Sequence, residues 1–210
     1  VRSTRVLIGR DLRPATVVFS HGRISAVVDH GDAPPGVMDF GDLVVMPALI
    51  DTHVHVNDPG RSHWEGFATA TAAARAGGVA AIIDMPLNSI PPTTTPAALE
   101  TKRSSARSAP LSSDVGFWGG IIPGNLDEVV ALAAAGVRGF KCFLVESGVD
   151  EFPAIGFDDL DGALAATAAV GLPLLVHAES PAVIAAAPAP GADYGSYLAS
   201  RPPEAEVDAI

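Results

Sequence analysis

The sequence of 210 residues has little cysteine, little positive charge and no long apolar run. Its single cysteine, Cys142, excludes an internal disulfide framework and a zinc site built from cysteines. Because 24 Asp and Glu outnumber 13 Lys and Arg, the net charge of -11 disfavours nucleic acids and anionic membrane surfaces as partners. No apolar stretch has the length of a membrane span or the pattern of a secretory leader. We therefore expect a cytoplasmic protein that binds a small molecule.

The first forty residues differ in pattern from the rest of the chain. Short alternating segments with frequent turns predict three strands of a small β-unit, at residues 5–9, 16–20 and 23–28. The run Ala33-Pro34-Pro35-Gly36 ends this pattern. We predict an N-terminal β domain over residues 1–42 and a second domain over residues 43–210.

Apolar strands alternate with Ala-rich helices in the second part of the chain. The strands are predicted at 43–55, 79–85, 115–122, 137–145 and 172–177, and the helices near 62–76, 96–107, 125–135 and 158–170. Five strands separated by four helices predict an α/β fold with a parallel sheet. A doubly wound sheet would be complete with five strands, whereas a (β/α)8 barrel typically needs about 250 residues. This pattern alone leaves both architectures open.

Polar side chains occur in or after three of these strands. His53 and His55 end the first strand, and because side chains alternate along a strand, both imidazoles face the same way and can bind one cation. Lys141 lies in the fourth strand and His177 ends the fifth. Since parallel strands end at the same face of a sheet, these four side chains are predicted to converge.

Lys141 is the least expected of them, because its strand is apolar and includes Phe140 and Phe143. Burial lowers the pKa of an amine, and a neutral lysine can react with carbon dioxide. The product is a carbamate, a carboxylate able to bridge two cations. Cys142 faces away from Lys141 by strand alternation, so we do not predict a cysteine nucleophile.

Several spaced motifs occur in order along the chain. They are Asp51-Thr52-His53-Val54-His55-Val56-Asn57-Asp58-Pro59-Gly60, Trp64-Glu65-Gly66-Phe67, Asp84-Met85-Pro86-Leu87-Asn88-Ser89, Gly139-Phe140-Lys141-Cys142-Phe143 and Val176-His177-Ala178-Glu179. Together they resemble the allantoinases of the cyclic amidohydrolase family. The resemblance implies a (β/α)8 TIM-type barrel, truncated here after about five strands, with a small N-terminal β-sandwich portion.

The same resemblance implies a binuclear metal site. His53, His55 and carbamylated Lys141 would hold one divalent cation, and Lys141 and His177 the second. Zinc is the simplest choice for these ligands, with cobalt, manganese or iron as alternatives. The family's two other ligands are a histidine and an aspartate that is also the general base. Both would lie beyond Ile210, so no catalytic residue is predicted within this segment.

The resemblance also implies a reaction, in which a hydroxide shared by the two cations opens the hydantoin ring of allantoin to give allantoate. Asn57 stands where dihydroorotases usually have an arginine for the substrate carboxylate, which favours a neutral ureide. Asn88 and Ser89 are predicted, with Asn57, to bind the substrate amides. A dihydropyrimidinase or hydantoinase, a dihydroorotase and a non-enzymatic scaffold relative are the alternatives. A homo-oligomer is expected.

Overall fold

The chain folds into two units in a computed structural model. The model describes residues 1–210. The first unit is Val1–Leu49 and the second is Ile50–Ile210. The sequence predicted a boundary after residue 42. The structure divides the chain later because the short strand β4 (Val44–Val45) pairs with the N-terminal sheet.

A single four-stranded sheet forms the first unit. Its strand order is β3-β2-β1-β4, where β1 is Arg2–Ile8, β2 is Asp11–Ser20 and β3 is Arg23–Val28. The pairs β1/β2 and β2/β3 are antiparallel, and β4 is parallel to β1. His21 and Gly22 both have positive φ, 51° and 73°, as a two-residue hairpin turn requires. The three predicted strands are confirmed, and the first two begin earlier than predicted.

Apolar residues of this sheet are only partly covered. Val6, Ala15 and Val17 form a small buried core. Phe19, Ile24 and Val27 remain exposed and line an open apolar cavity of about 450 Å³ within the first unit.

Strands and helices alternate in the second unit. In chain order they are β5 (Leu49–Val54), α1 (Phe67–Ala76), β6 (Val79–Asp84), α2 (Pro96–Ser108), β7 (Asp114–Phe117), β8 (Gly119–Gly120), α3 (Val129–Ala134), β9 (Phe140–Phe143), α4 (Phe157–Ala169), β10 (Leu174–His177), α5 (Pro181–Ala186), α6 (Tyr194–Ser200) and α7 (Glu204–Ala209). A 3-10 turn at Leu126–Glu128 precedes α3. None of the helices combines the length and the apolar character that a membrane crossing requires.

Two of the predicted strands are divided in the structure. The stretch over 43–55 forms β4 and β5, interrupted around Pro47, which lacks a backbone N–H for a sheet. The stretch over 115–122 forms β7 and β8, because the chain changes partner at Trp118. There, the Trp118 N–H donates to the Asp84 carbonyl, whereas the Gly119 N–H donates to the Gly139 carbonyl.

This change of partner places the strands of the second unit in sequential order. One sheet has the order β5-β6-β7 and the other has the order β8-β9-β10. The pairs β6/β7, β8/β9 and β9/β10 are parallel. The parallel arrangement predicted from the alternating pattern is therefore present, and it brings the carboxyl ends of β9 and β10 side by side.

Candidate functional site

His53 and His55 lie at the carboxyl end of β5. Their ring centroids are 5.4 Å apart, and both side chains are open to solvent. Between them, the Val54 carbonyl accepts a hydrogen bond from the Met85 N–H at 2.8 Å, which ties this segment to the end of β6. Partial desolvation, then the charges of His53 and Lys141, lower the pKa of His55. The His55 imidazole is thereby kept neutral, the form that binds metals.

Lys141 lies within β9 and is only 5% exposed. Its Nζ is 4.8 Å from the centroid of the Phe143 ring and takes part in none of the ion pairs of the chain. Burial lowers the pKa of Lys141. A buried amine without an anionic partner suits carbamate formation, which would supply the missing negative charge.

His177 ends β10, next to β9. Its imidazole stacks on the Phe143 ring, with 4.9 Å between centroids and 17° between planes, so Phe143 contacts both Lys141 and His177. The Nε2 atom of His177 is 2.7 Å from Glu179 Oε2, which leaves Nδ1 as the free ring nitrogen. Arg201 Nη1 donates to the same Glu179 oxygen at 2.8 Å.

One oxygen of Glu179 therefore contacts both His177 and Arg201. Although burial opposes the change, hydrogen bonds from His177 and Arg201 lower the pKa of Glu179. An open cavity of about 410 Å³ is lined by these three residues and by Tyr197 and Glu206, among others. This cavity gives a small molecule room beside His177.

Asn57 and Asn88 lie on the loops that follow β5 and β6. The Oδ1 atom of Asn57 is buried without a hydrogen-bond partner. Asn88 has a φ of 71°, an unusual value for a residue other than glycine, and its carbonyl accepts a hydrogen bond from Arg61 Nη1 at 3.1 Å. Arg61 also donates to Glu151 Oε1 at 2.5 Å, so one guanidinium joins three loops.

Ser89, the third predicted substrate contact, is buried within the loop after β6. Its side chain is fully buried, and its hydroxyl donates to the Pro91 carbonyl at 3.2 Å. The hydroxyl is therefore turned into its own loop, and a substrate contact at Ser89 would require that loop to open.

Sequence reasoning missed the fully buried ion pair between Asp84 and Lys102, whose Oδ2 and Nζ atoms are 2.7 Å apart. Lys102 lies in the polar helix α2 and resembles a solvated residue. The signal that could have found it is the spacing of Leu99, Lys102 and Ala106, which share the buried face of the helix.

Histidine and acidic residues do not form a metal site by themselves in this chain. No group of three or more His, Cys, Asp or Glu side chains is arranged to hold a metal ion.

The sequence of this chain matches a known protein family. The model of the Amidohydrolase family matches residues 44–206, which is most of the chain. The chain belongs to the amidohydrolase family. Its α/β fold is that of this family, as the similarity to solved structures also indicates.

Similar amidohydrolases include enzymes from bacteria and eukaryotes. An allantoinase from Streptomyces avermitilis is 52% identical over 100% of this chain and 48% of that protein. A mitochondrial allantoinase from Aquarana catesbeiana is 45% identical over 100% of this chain and 44% of that protein. The L-hydantoinase (dihydropyrimidinase) from Arthrobacter aurescens has a TM-score of 0.83 and 30% identity, over 99% of this chain and 48% of that structure. The chain spans about half the length of the relatives it matches.

Proposed function

We propose that this chain is part of a metal-dependent cyclic amidohydrolase, an allantoinase that hydrolyses a ring C–N bond of allantoin to give allantoate. The observation that carries the proposal is the buried, unpaired Lys141, whose Nζ lies 4.8 Å from the centroid of the Phe143 ring on which His177 stacks. Similarity to allantoinases at 40–52% identity supports the choice of substrate.

The proposed metal ligands are His53, His55 and carbamylated Lys141 for one divalent cation, and Lys141 and His177 for the second. Zinc suits imidazole and carboxylate ligands, as do cobalt, manganese and iron. When bound, the cations would lower the pKa of a water molecule and polarise the amide carbonyl. Glu179 orients the His177 ring through Nε2, so that Nδ1 is the nitrogen offered to a cation.

The charges around the loops favour a neutral substrate. Asn57 follows the two histidines with an uncharged amide, and the nearby Arg61 is paired with Glu151. No free guanidinium is therefore available on these loops to bind a substrate carboxylate, which argues against a dihydroorotase. Asn57 and Asn88 are the proposed contacts for the ureide and ring amides.

A hydantoinase or dihydropyrimidinase is the second candidate. The observation that favours it is the TM-score of 0.83 to an L-hydantoinase (dihydropyrimidinase). Hydantoins are also neutral cyclic amides, so the charge argument does not separate the two.

The order of the strands supports a complete barrel and sandwich in the whole protein. We propose that β5 to β10, in their sequential order, are the first strands of a (β/α)8 barrel, and that the sheet of the first unit is a portion of a β-sandwich. Its open apolar cavity is what an unfilled sandwich face would leave. A cytoplasmic homo-oligomer is proposed for the whole protein.

The test uses the full-length protein and four substrates: allantoin, hydantoin, dihydrouracil and dihydroorotate. We expect allantoin to be turned over fastest, two metal ions per subunit, and the mass of one carbon dioxide on Lys141. Lys141→Met should lose metal and activity together, whereas Arg107→Met, on the exposed face of α2, should keep both. Faster hydrolysis of hydantoin or dihydrouracil would identify the second candidate, and absence of metal would refute the hydrolase.

A further inference from the structure

We infer that Asp84, buried beside Lys102, positions His55 for metal binding, because one oxygen of its side chain fixes the peptide that follows this histidine. The inference rests on the metal site proposed above. It concerns two residues that contact neither substrate nor metal and act through the backbone.

The ion pair joins three segments in the interior of the second unit. Lys102 Nζ, on α2, donates to Asp84 Oδ2 at 2.7 Å and to the Met85 carbonyl at 2.9 Å. The other carboxylate oxygen, Oδ1, accepts the Val56 N–H at 2.7 Å. Asp84, Lys102 and Val56 are all fully buried, so this network is closed to solvent.

The backbone groups on either side of His55 are both hydrogen-bonded to residues at the end of β6. On one side the Val54 carbonyl accepts from the Met85 N–H, and on the other the Val56 N–H donates to Asp84. The imidazole itself makes no hydrogen bond, so the backbone on either side of His55 is what fixes the point from which this side chain projects. Ligand orientation is a large part of metal affinity, because a misdirected imidazole must be moved before it can bind.

Helix α2 supplies the rigid side of this arrangement. It begins with a capped turn, in which Thr95 accepts the Ala98 N–H, and it reaches the metal-site segment through two side chains. One is Lys102, which is linked to Val56 through Asp84, and the other is Ser105, which donates to Asp58 Oδ1 at 2.6 Å. The residues before and after Asn57 are thus both linked to one face of α2.

A role in stability alone does not account for the pair. A buried ion pair usually contributes little more to stability than apolar residues of the same volume, and sometimes less. The specific contribution of Asp84 is the oxygen that accepts from Val56, which an apolar residue cannot provide.

Two matched double variants of the full-length protein isolate that oxygen. Asp84→Asn/Lys102→Met and Asp84→Leu/Lys102→Met both remove the two charges, and the Asn and Leu side chains have the same number and branching of heavy atoms. Only Asn keeps an oxygen that accepts from the Val56 N–H. Zinc affinity is measured by chelator competition after removal of the metal, and folding of the metal-free proteins is measured by thermal unfolding.

We expect the Asn double variant to bind zinc almost as tightly as the wild type, and the Leu double variant to bind it about 10- to 100-fold more weakly while still folded. Equal zinc affinity of the two folded double variants would overturn the inference. If the Leu variant does not fold, Asp84→Ala/Lys102→Met replaces it with the same expectation. A wild-type protein that binds no zinc would instead refute the proposed metal site, and the inference with it.

Discussion

Arg61 and Glu151 form an ion pair that crosses from the loop after β5 to the loop after β9, with Nη1 and Oε1 2.5 Å apart. The same Nη1 donates to the Asn88 carbonyl on the loop after β6. The hydrogen bond from Arg61 lowers the pKa of Glu151, and the one to Glu151 raises the pKa of Arg61. Both groups are therefore charged at neutral pH, and three loops meet at one guanidinium.

Arg61→Met should loosen these loops and raise KM for allantoin about tenfold, with a smaller change in kcat, because substrate positioning is lost while the metal ligands stay in place. Steady-state kinetics and metal analysis measure both effects. The control is Arg107→Met, which breaks the exposed pair with Glu100 on the surface of α2. An equal rise of KM in both variants would contradict the role given to Arg61.

Glu179→Gln should weaken metal binding about 10- to 100-fold, because the hydrogen bond that orients His177 loses its negative charge. The loss is measured as the metal retained at increasing chelator concentration. Glu206→Gln is the control, since Glu206 lines the same cavity but forms no ion pair. The same loss in both variants would show that the general negative charge of the cavity, and not the contact to His177, holds the metal.

Gly139→Ala should destabilise the second unit by about 1–3 kcal/mol through overpacking. A Cβ at this position would overlap the Trp118 ring and lie 2.7 Å from the Pro173 carbonyl oxygen. Gly31→Ala is the control, because its Cβ would meet nothing within 4 Å. Denaturant unfolding of the two variants should differ accordingly, and an unaffected Gly139→Ala would contradict the close approach.

The stability of the second unit should depend on pH through Asp84. Burial raises the pKa of Asp84 to about 6 from 3.8, although Lys102 and the Val56 N–H oppose the rise. Because the pKa in the folded state lies above the ordinary value, the stabilising contribution is complete below about pH 4 and is lost as the pH rises through about 6.

Relative to Asp84→Asn/Lys102→Met, which lacks this titration, the free energy of unfolding of the wild type should therefore fall as the pH rises from about 4 through about 6. Denaturant unfolding at several pH values measures this difference. A difference that does not vary with pH would mean that Asp84 ionises as easily in the folded chain as in the unfolded one.

The order of strands and helices could be predicted because each element carries its own local signal. Apolar runs, Ala-rich helices and the turn at His21 and Gly22 all depend on neighbouring residues. The break at Trp118 could not be predicted, since it arises when one strand pairs with β6 over its first half and with β9 over its second. That choice depends on residues distant in the sequence.

In the candidate site, too, local features could be predicted and contacts between distant residues could not. His53, His55, Lys141 and His177 were chosen because they are polar residues in or after apolar strands, a property visible along the chain. Contacts between distant segments around the site, such as the one between Glu179 and Arg201, 22 residues apart, leave no local pattern. The direction of the Ser89 hydroxyl could not be predicted either, because a turn-forming serine offers no sign of whether its hydroxyl faces outward or inward.

The chain has eleven arginines and only two lysines, and both lysines are buried. Lys102 is paired with Asp84, whereas Lys141 has no anion beside it. Arginine does not lose its proton at ordinary pH, so it offers no nucleophilic nitrogen. Lys141 is therefore the one lysine side chain of this chain that we expect to react with a small uncharged electrophile such as cyanic acid. Covalent labelling followed by mass spectrometry would show whether the Lys141 amine is free or already modified.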